Sequence, residues 1–478
     1  MKMDLDKIKK LYFLGIGGIG MSALARYFNS RGCEIYGYDK TQTALTKKLV
    51  EEGMKIHYEE NPALVPPGID LVVWTPAVPR DHLELQFFNQ NDIPVKKRAE
   101  VLGLISRSQR TIAVAGTHGK TTTCTLATHI LHTGGVRCTA FLGGIAKNFG
   151  SNFVAGDSEW VVAEADEFDR SFLHLSPEIA VLLSIDPDHL DIYDDAQQIQ
   201  ETGFKEFLRK VKAGGKIFLK SGLEQAIGNR AAATFGVESG QYRAANIRVE
   251  DGWFVFDFVA PVFHHSGEAT PGYARRIGKN RSYEEIRWKN LRFAMPGRHN
   301  VENACAAIAV AMQLGVGEKA VRKALMEFEG IKRRFEIIYR DERRVFIDDY
   351  AHHPTEIRSA VQAARELFPG RKITGIFQPH LYSRTRDFQD GFAKELDQLD
   401  EIILMDVYPA REKPIRGITS AVIIEKMKNP NKVLATKANV LKMLKTKQID
   451  VLMTLGAGDI DTFVAPINNW LLKSTTDN

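Results

Sequence analysis

Short apolar runs alternate with helix-period segments along most of this chain. Residues 11–16 read as a buried strand, 21–30 as a helix and 34–38 as a second strand, which is a βαβ start. The run 70–74 and the helical pattern 81–91 continue it. A polar stretch, Ser106 to Arg110, precedes a second strand start at Thr111 and reads as a domain boundary. Strands at 160–163, 179–183 and 216–219 then alternate with helices to about residue 240. That order predicts a parallel sheet with helices on both faces. Between 243 and 293 the pattern changes. Residues 253–259 are β-rich and 281–292 look like their partner, so an antiparallel insert or side sheet is expected. Helices are predicted at 300–313 and 317–328, and Gly330 to Arg334 reads as a second linker. Beyond it the alternation starts a third time, with strands at 344–347, 373–377, 401–405 and 451–455. The expected fold is α/β with domains at 1–108, 109–330 and 331–478.

A length of 478 residues suits three domains, and 44% hydrophobic with 26% charged residues suits ordinary cores. A net charge of +5 is too weak to argue for nucleic acid but suits small anionic substrates. Cys33, Cys124, Cys138 and Cys305 show no CxxC spacing, so neither a zinc site nor a disulfide framework is indicated. The charged first ten residues and the lack of a long apolar span predict no signal peptide and no membrane insertion. A cytoplasmic protein is expected, as a monomer or weak homodimer.

The most informative stretch is Ala113 to Thr123, an apolar run, a glycine turn, Lys-Thr and then a helix. Gly116, Thr117, His118, Gly119, Lys120, Thr121 and Thr122 form a phosphate cradle in that context. Glycines let backbone N–H groups approach phosphate oxygens, and the helix start adds partial positive charge. Lys120 can reach terminal phosphates and the Thr121 hydroxyl can join a Mg²⁺ shell. The usual pattern has a glycine five positions before Gly119, where this chain has Val114.

Gly15-Ile16-Gly17-Gly18-Ile19-Gly20 also fits a glycine fingerprint after a strand, with Asp39 ending the next strand. On pattern alone this says dinucleotide, or else a tight strand–helix turn. Two phosphate loops in separate domains suggest two phosphorylated ligands. Glu164 to Asp169 follows one strand, and a carboxylate there suits Mg²⁺ or an acidic surface turn. Asp186 to Asp191, with His189 among three aspartates, suits an ion site or a loop-ordering network. His299, Asn300 and Asn303 open a helix, where they can read an adenine edge or cap the helix. Arg333 and Arg334 lie on the second linker, where an arginine can neutralise phosphate charge or simply be exposed. Asp348 to Glu356 and Gln378 to Arg386 each end a strand, where open α/β sheets bind ligands.

The ordered set GIGGIGMSALA, AGTHGKTTT, EADEFD, DPDHLD, GRHNVENA, RRF, DDYAHHPTEI and QPHLYSRT resembles the Mur ligase family. These motifs span residues 15 to 386 and are most similar to those of the branch that adds L-alanine. The resemblance implies a Rossmann-like UDP-binding domain, a central P-loop ATPase domain with a small antiparallel portion, and a Rossmann-like C-terminal domain. It implies ATP as cosubstrate, Mg²⁺, and the joining of L-alanine to the carboxylate of UDP-N-acetylmuramate through an acyl phosphate. Gly15, Gly17, Gly18, Gly20, Asp39 and Thr75 would hold the UDP-sugar. Lys120 would neutralise the β- and γ-phosphates, and Thr121, Glu164 and His189 would bind metal. His299, Asn300 and Asn303 would contact adenine, with Arg334 and Asp349 also approaching the nucleotide. Tyr350, His352 and Arg384 would form the amino-acid pocket. Some sister ligases carry a carbamylated lysine near the position of Lys205, which here is one place off, and the resemblance implies that the alanine-adding branch manages without it.

Two readings compete. A ligase that recycles murein tripeptide shares several motifs, and an NAD-dependent oxidoreductase would account for the first glycine loop and Asp39. The oxidoreductase leaves the second loop unexplained. A nucleotide-switched binding protein leaves the metal-type loops and the arginine-bearing third domain without a role.

Overall fold

Nearly every apolar run becomes an interior strand, because each is buried on both faces between a sheet and its helices. The computed structural model describes residues 4–186, 198–229, 232–262, 284–410 and 412–473. Among the described residues there are three sheets. The first is built from β1 (Lys10–Leu14), β2 (Glu34–Tyr38), β3 (Lys55–His57), β4 (Leu71–Trp74) and β5 (Val95–Lys97), in the order β3-β2-β1-β4-β5. Every pairing in it is parallel.

The second sheet comprises β6 (Arg110–Ala115), β7 (Thr139–Ala146), β8 (Ser151–Val154), β9 (Trp160–Ala165), β10 (Ile179–Leu182), β11 (Lys216–Lys220), β12 (Ala233–Val237), β13 (Tyr242–Glu250), β14 (Trp253–Pro261) and β15 (Glu285–Phe293). Its order is β15-β14-β13-β12-β11-β10-β6-β9-β7-β8. The expected antiparallel insert is therefore no separate sheet. β13, β14 and β15 pair antiparallel and extend the edge of the parallel sheet, to which β13 is joined through β12.

The polar stretch 106–110 holds the end of a helix and the start of a strand. The helix Arg98–Ser108 runs through it with Ser106 buried, and Gln109 alone separates that helix from β6. Ser106 is polar because it works inside the fold: its hydroxyl accepts the Ser176 N–H.

The third sheet holds β16 (Glu336–Arg340), β17 (Val345–Asp349), β18 (Ile373–Phe377), β19 (Glu401–Met405), β20 (Lys432–Ala435) and β21 (Val451–Leu455), in the order β16-β17-β21-β18-β19-β20. Only β16, which the apolar pattern did not disclose, pairs antiparallel.

The chain packs as two compact units. One contains residues up to Gly143, Asn152–Ala294 and Asn300–Phe328; the other contains Gly144–Ser151, Met295–His299 and the chain from Glu329 onward. The first two sheets share a unit because one apolar core runs through both. Leu11, Phe13 and Phe28 belong to the same cluster as Ala113, Phe141 and Phe153. The Tyr27 ring lies 5.4 Å from that of Phe141. Among the described residues no helix is long and apolar enough to cross a membrane.

Candidate active site

β6 lies between β9 and β10, all parallel, so three strand ends open at one edge. The loop after β6 is shaped by Gly116 (φ 135°) and Gly119 (φ 82°). A Cβ on Gly116 would stand 2.8 Å from the Ser184 N, and one on Gly119 would stand 2.6 Å from the Asn303 Oδ1. Val114, where the longer glycine pattern has glycine, is buried inside β6. The turn therefore begins two residues later. Thr117 Oγ1 donates to the Asp186 carbonyl at 2.8 Å, and the His118 N–H donates to Ser184 Oγ at 2.9 Å. Thr122 is buried in the first turn of the helix Lys120–Thr133.

Lys120 Nζ donates to the Gly116 carbonyl and to Glu167 Oε2, each at 2.7 Å. Burial alone would lower its pKa, but Glu167, Asp166 and Glu164 outweigh burial and hold it above its ordinary value. The ammonium is thus kept charged. Glu164 lies within β9, not after it, opposite Val114. It accepts from Thr121 Oγ1 at 3.1 Å and from the Gly143 N–H. Burial raises its pKa against the opposing Gly143 N–H, Lys120 and Thr121. His189 lies outside the described residues. Asn300 and Asn303 are buried, with Asn303 Nδ2 3.4 Å from Asn300 Oδ1.

A cavity of about 750 Å³ runs from the first glycine loop to this edge. Gly15, Gly18, Gly20, Asp39 and Thr75 line it, together with Glu164 and Asp166. Gly17, next in the loop, packs beside Asp39 and Thr46. Its N–H donates to Asp39 Oδ2 at 2.7 Å. A Cβ there would stand 2.7 Å from Thr46 Cγ2 and 2.8 Å from Asp39 Oδ2. Close packing against Asp39 and Thr46 leaves no room for a side chain at 17.

In the second unit, Asp349 ends β17 and accepts the N–H groups of Phe335 and Ala351, both at 2.7 Å. Those bonds hold the linker, where Arg333 (φ 61°) and Phe335 (φ 45°) take left-handed backbone. Arg333 is fixed to Asp348 Oδ2 at 3.0 Å and to the Gly456 carbonyl at 2.7 Å. Arg334 is the less committed of the two, 3.9 Å from Glu356 Oε1 and 5.1 Å from the Tyr350 ring centroid. His352 Nδ1 is 2.9 Å from the Tyr350 carbonyl and 3.2 Å from Glu356 Oε2. Arg384 is buried in the first turn of the helix Tyr382–Leu396. Its loop leaves β18 while that of Tyr350 and His352 leaves β17, on either side of β21. The His352 and His380 rings, 6.0 Å apart, bring the two loops together. His299 shares a helix with Asn300 and Asn303. Burial lowers its pKa to about 4, raised somewhat by Glu356 and lowered further by Arg334, so the imidazole is neutral at pH 7.

Burial pushes the Asp349 carboxyl up to about 6, opposed by Arg334 and by the two N–H donors. Between the ordinary 3.8 and about 6, the folded chain holds a proton that the unfolded chain has released. Stability of this unit should therefore fall as pH rises through that window, by at most about 1.4 kcal/mol per unit. Urea midpoints measured from pH 4 to 6 should show this slope, and Asp349→Asn should flatten it. An identical slope in the variant would assign the effect to another group.

Three family models match consecutive stretches of the chain: Mur ligase family, catalytic domain, at residues 10–110; Mur ligase middle domain at 114–311; and Mur ligase, glutamate ligase domain, at 333–458. The chain belongs to the Mur ligase family. Among its relatives, the UDP-N-acetylmuramate–L-alanine ligase of Cytophaga hutchinsonii is 46% identical, covering 97% of each chain. That of Flavobacterium johnsoniae is 47% identical over 98% of this chain and 99% of its own. A crystal structure of UDP-N-acetylmuramate–alanine ligase from Thermotoga maritima superposes with a TM-score of 0.79 at 29% identity, covering 97% of this chain and 99% of that one. A murein peptide ligase from Psychrobacter arcticus shares the fold, with a TM-score of 0.66 at 24% identity and coverage of 96% and 98%.

Within this Mur ligase, the motifs left two residues unassigned. Glu167 lies inside EADEFD, but its pairing with Lys120 depends on how β9 and β6 align. Arg98, which lines the cavity, belongs to none of the motifs. Chemically, the edge of the second sheet offers a fixed cation, a hydroxyl and a buried carboxylate beside a cavity large enough for a sugar nucleotide. That combination suits phosphoryl transfer to a group held in the cavity.

Proposed function

We propose that the chain is an ATP-dependent ligase that joins L-alanine to the carboxylate of UDP-N-acetylmuramate. The observation that carries this reading is the single cavity linking the Gly15–Gly20 loop to Glu164 at the phosphate loop. A sugar nucleotide lying in it would present its far end to the group-transfer edge. Relatives 46–47% identical over nearly the whole chain carry that activity in their names.

The working domains are 1–108 for the UDP-sugar, 109–330 for ATP and 331–478 for the amino acid. Gly116 to Thr122 would cradle the phosphates, with Lys120 against the transferring group. Asn300 and Asn303 would approach adenine from the helix over the loop, and neutral His299 would hydrogen-bond there. By the family resemblance, Arg334 and Asp349 would also contact the nucleotide. Mg²⁺ fits the donors present, because Glu164 is a buried carboxylate beside a hydroxyl, and oxygen is what this ion prefers. By the resemblance, Thr121 and Glu164 would hold one ion and His189 a second, and the ions would supply charge neutralisation on the phosphates.

A carboxylate is a poor acyl donor because oxide is a poor leaving group. Transfer of the γ-phosphoryl group to a carboxylate oxygen forms an acyl phosphate and ADP. The neutral amine of alanine then attacks the acyl carbon, loses a proton and expels phosphate, leaving the amide. Lys120 would stabilise the charge on the transferring group, and positioning would do most of the rest.

Arg384 would pair the alanine carboxylate, with Tyr350 and His352 forming the wall. Arg384→Ala should raise the Michaelis constant for L-alanine by roughly 10- to 150-fold, the range expected for losing a charge-assisted pair. Arg384→Lys should recover only part of this, since an ammonium cannot reproduce the guanidinium fork. Steady-state titration of alanine and ATP separately checks the assignment. A change confined to ATP would move Arg384 to the nucleotide site.

The function itself is tested by ADP release with UDP-N-acetylmuramate, with and without L-alanine. Release that needs both supports it. Release with the murein tripeptide and not with alanine would favour the recycling reaction.

A further inference from the structure

The Gly15–Gly20 loop is a poor anion cradle on its own, because its amides are already used. The Gly15 and Ile16 N–H groups donate to the Tyr38 carbonyl, Gly17 donates to Asp39, and Gly18 donates to the Gly15 carbonyl. Only the first-turn amides of the helix Ile19–Ser30 remain to face an anion. Carboxylates also crowd the cavity, with Asp39, Glu164 and Asp166 in its wall. A substrate carrying a diphosphate and a carboxylate needs positive charge there.

Arg98 supplies it. It is the first residue of the helix Arg98–Ser108 and lines the cavity. Lys40, which is exposed, is the only other lysine or arginine in the wall among the described residues. The Arg98 side chain is 26% exposed, and its guanidinium meets Asp166 Oδ2 only at 4.0 Å. Among the described residues it makes no hydrogen bond, although it carries five N–H donors. It lies directly against the glycine loop. A Cβ on Gly20 would stand 2.9 Å from Arg98 Nη1 and 3.0 Å from its Cδ. The third glycine of the loop thus makes room for a guanidinium.

We propose that Arg98 is the cation that binds the diphosphate of the sugar nucleotide, beside the start of the helix Ile19–Ser30. The assignment rests on the sugar-nucleotide reading of the cavity. Arginine suits the role because its planar fork pairs with phosphate oxygens through two parallel bonds. Asp166 would orient the free guanidinium and give it up to the ligand.

Calorimetric titration of UDP, UDP-N-acetylglucosamine and UDP-N-acetylmuramate tests this, with ATP titrated as a control for the second sheet. Arg98→Ala should weaken all three uridine ligands by roughly 10- to 100-fold, because all share the diphosphate, and leave ATP unchanged. Arg98→Lys should recover part of the loss. Gly20→Ala, which keeps the charge but displaces it, should weaken the same three ligands. Unchanged UDP binding by Arg98→Ala would overturn the assignment. So would a loss confined to UDP-N-acetylmuramate, which would place the guanidinium on the substrate carboxylate, or an equal loss of ATP. A wild-type chain that bound none of the three would overturn the sugar-nucleotide reading and this assignment with it.

Discussion

Lys120→Ala should abolish ligation while UDP-sugar binding persists. The ammonium lies at the turn between Gly116 and the helix start, held charged by three neighbouring carboxylates. Contacts of this kind stabilise a transferring phosphoryl group, and losing one costs about 10³-fold or more in turnover. The substitution has a second consequence. It takes the ammonium away from Glu167, which is only 1% exposed. Breaking a buried pair from one side destabilises by about 3–5 kcal/mol. A dead single variant could therefore be a folding defect. The double variant Lys120→Ala/Glu167→Gln also removes the buried carboxylate charge and should regain much of the thermal stability while remaining inactive. A double variant with a tenth of wild-type turnover would contradict the role given to Lys120.

Glu164→Ala should lose phosphoryl transfer by a comparable margin, about 10²- to 10³-fold, with a weakened response to Mg²⁺. Its carboxylate meets the Thr121 hydroxyl on one oxygen and the Gly143 N–H on the other. The site is buried enough to raise its pKa. Such a carboxylate is incompletely compensated until a cation joins it. UDP binding should be nearly unaffected, since the diphosphate is placed at the other end of the cavity. Initial rates across Mg²⁺ concentrations, paired with UDP titration, separate the two. Lost UDP affinity with an unchanged Mg²⁺ response would make Glu164 a wall of the sugar site and not a metal ligand.

The sequence disclosed the strand ends well, because loops that carry chemistry follow apolar runs whose burial forces them into parallel sheets. β18, β19 and β21 fall where the apolar pattern puts them. β16 did not show, because its alternate positions are only half-buried and its charges mask the run. Ser106 is polar because its hydroxyl bonds inside the fold, which its place in the sequence did not disclose. At Gly17 the fingerprint spacing does not disclose that the close neighbours are Asp39 and Thr46. Glu167 and Arg98 depend on contacts 47 and 68 residues away along the chain, with Lys120 and Asp166 respectively. A single sequence carries no spacing rule for such pairs. The same limit applies to His299, whose neutral state comes from burial.

The central claim is that one chain activates the sugar-nucleotide carboxylate by phosphorylation. Labelling both carboxylate oxygens of UDP-N-acetylmuramate with ¹⁸O and analysing the released phosphate by mass spectrometry tests it directly. The acyl-phosphate route passes one labelled oxygen to each phosphate and leaves the other in the amide. Phosphate released without label during alanine-dependent turnover would contradict the account.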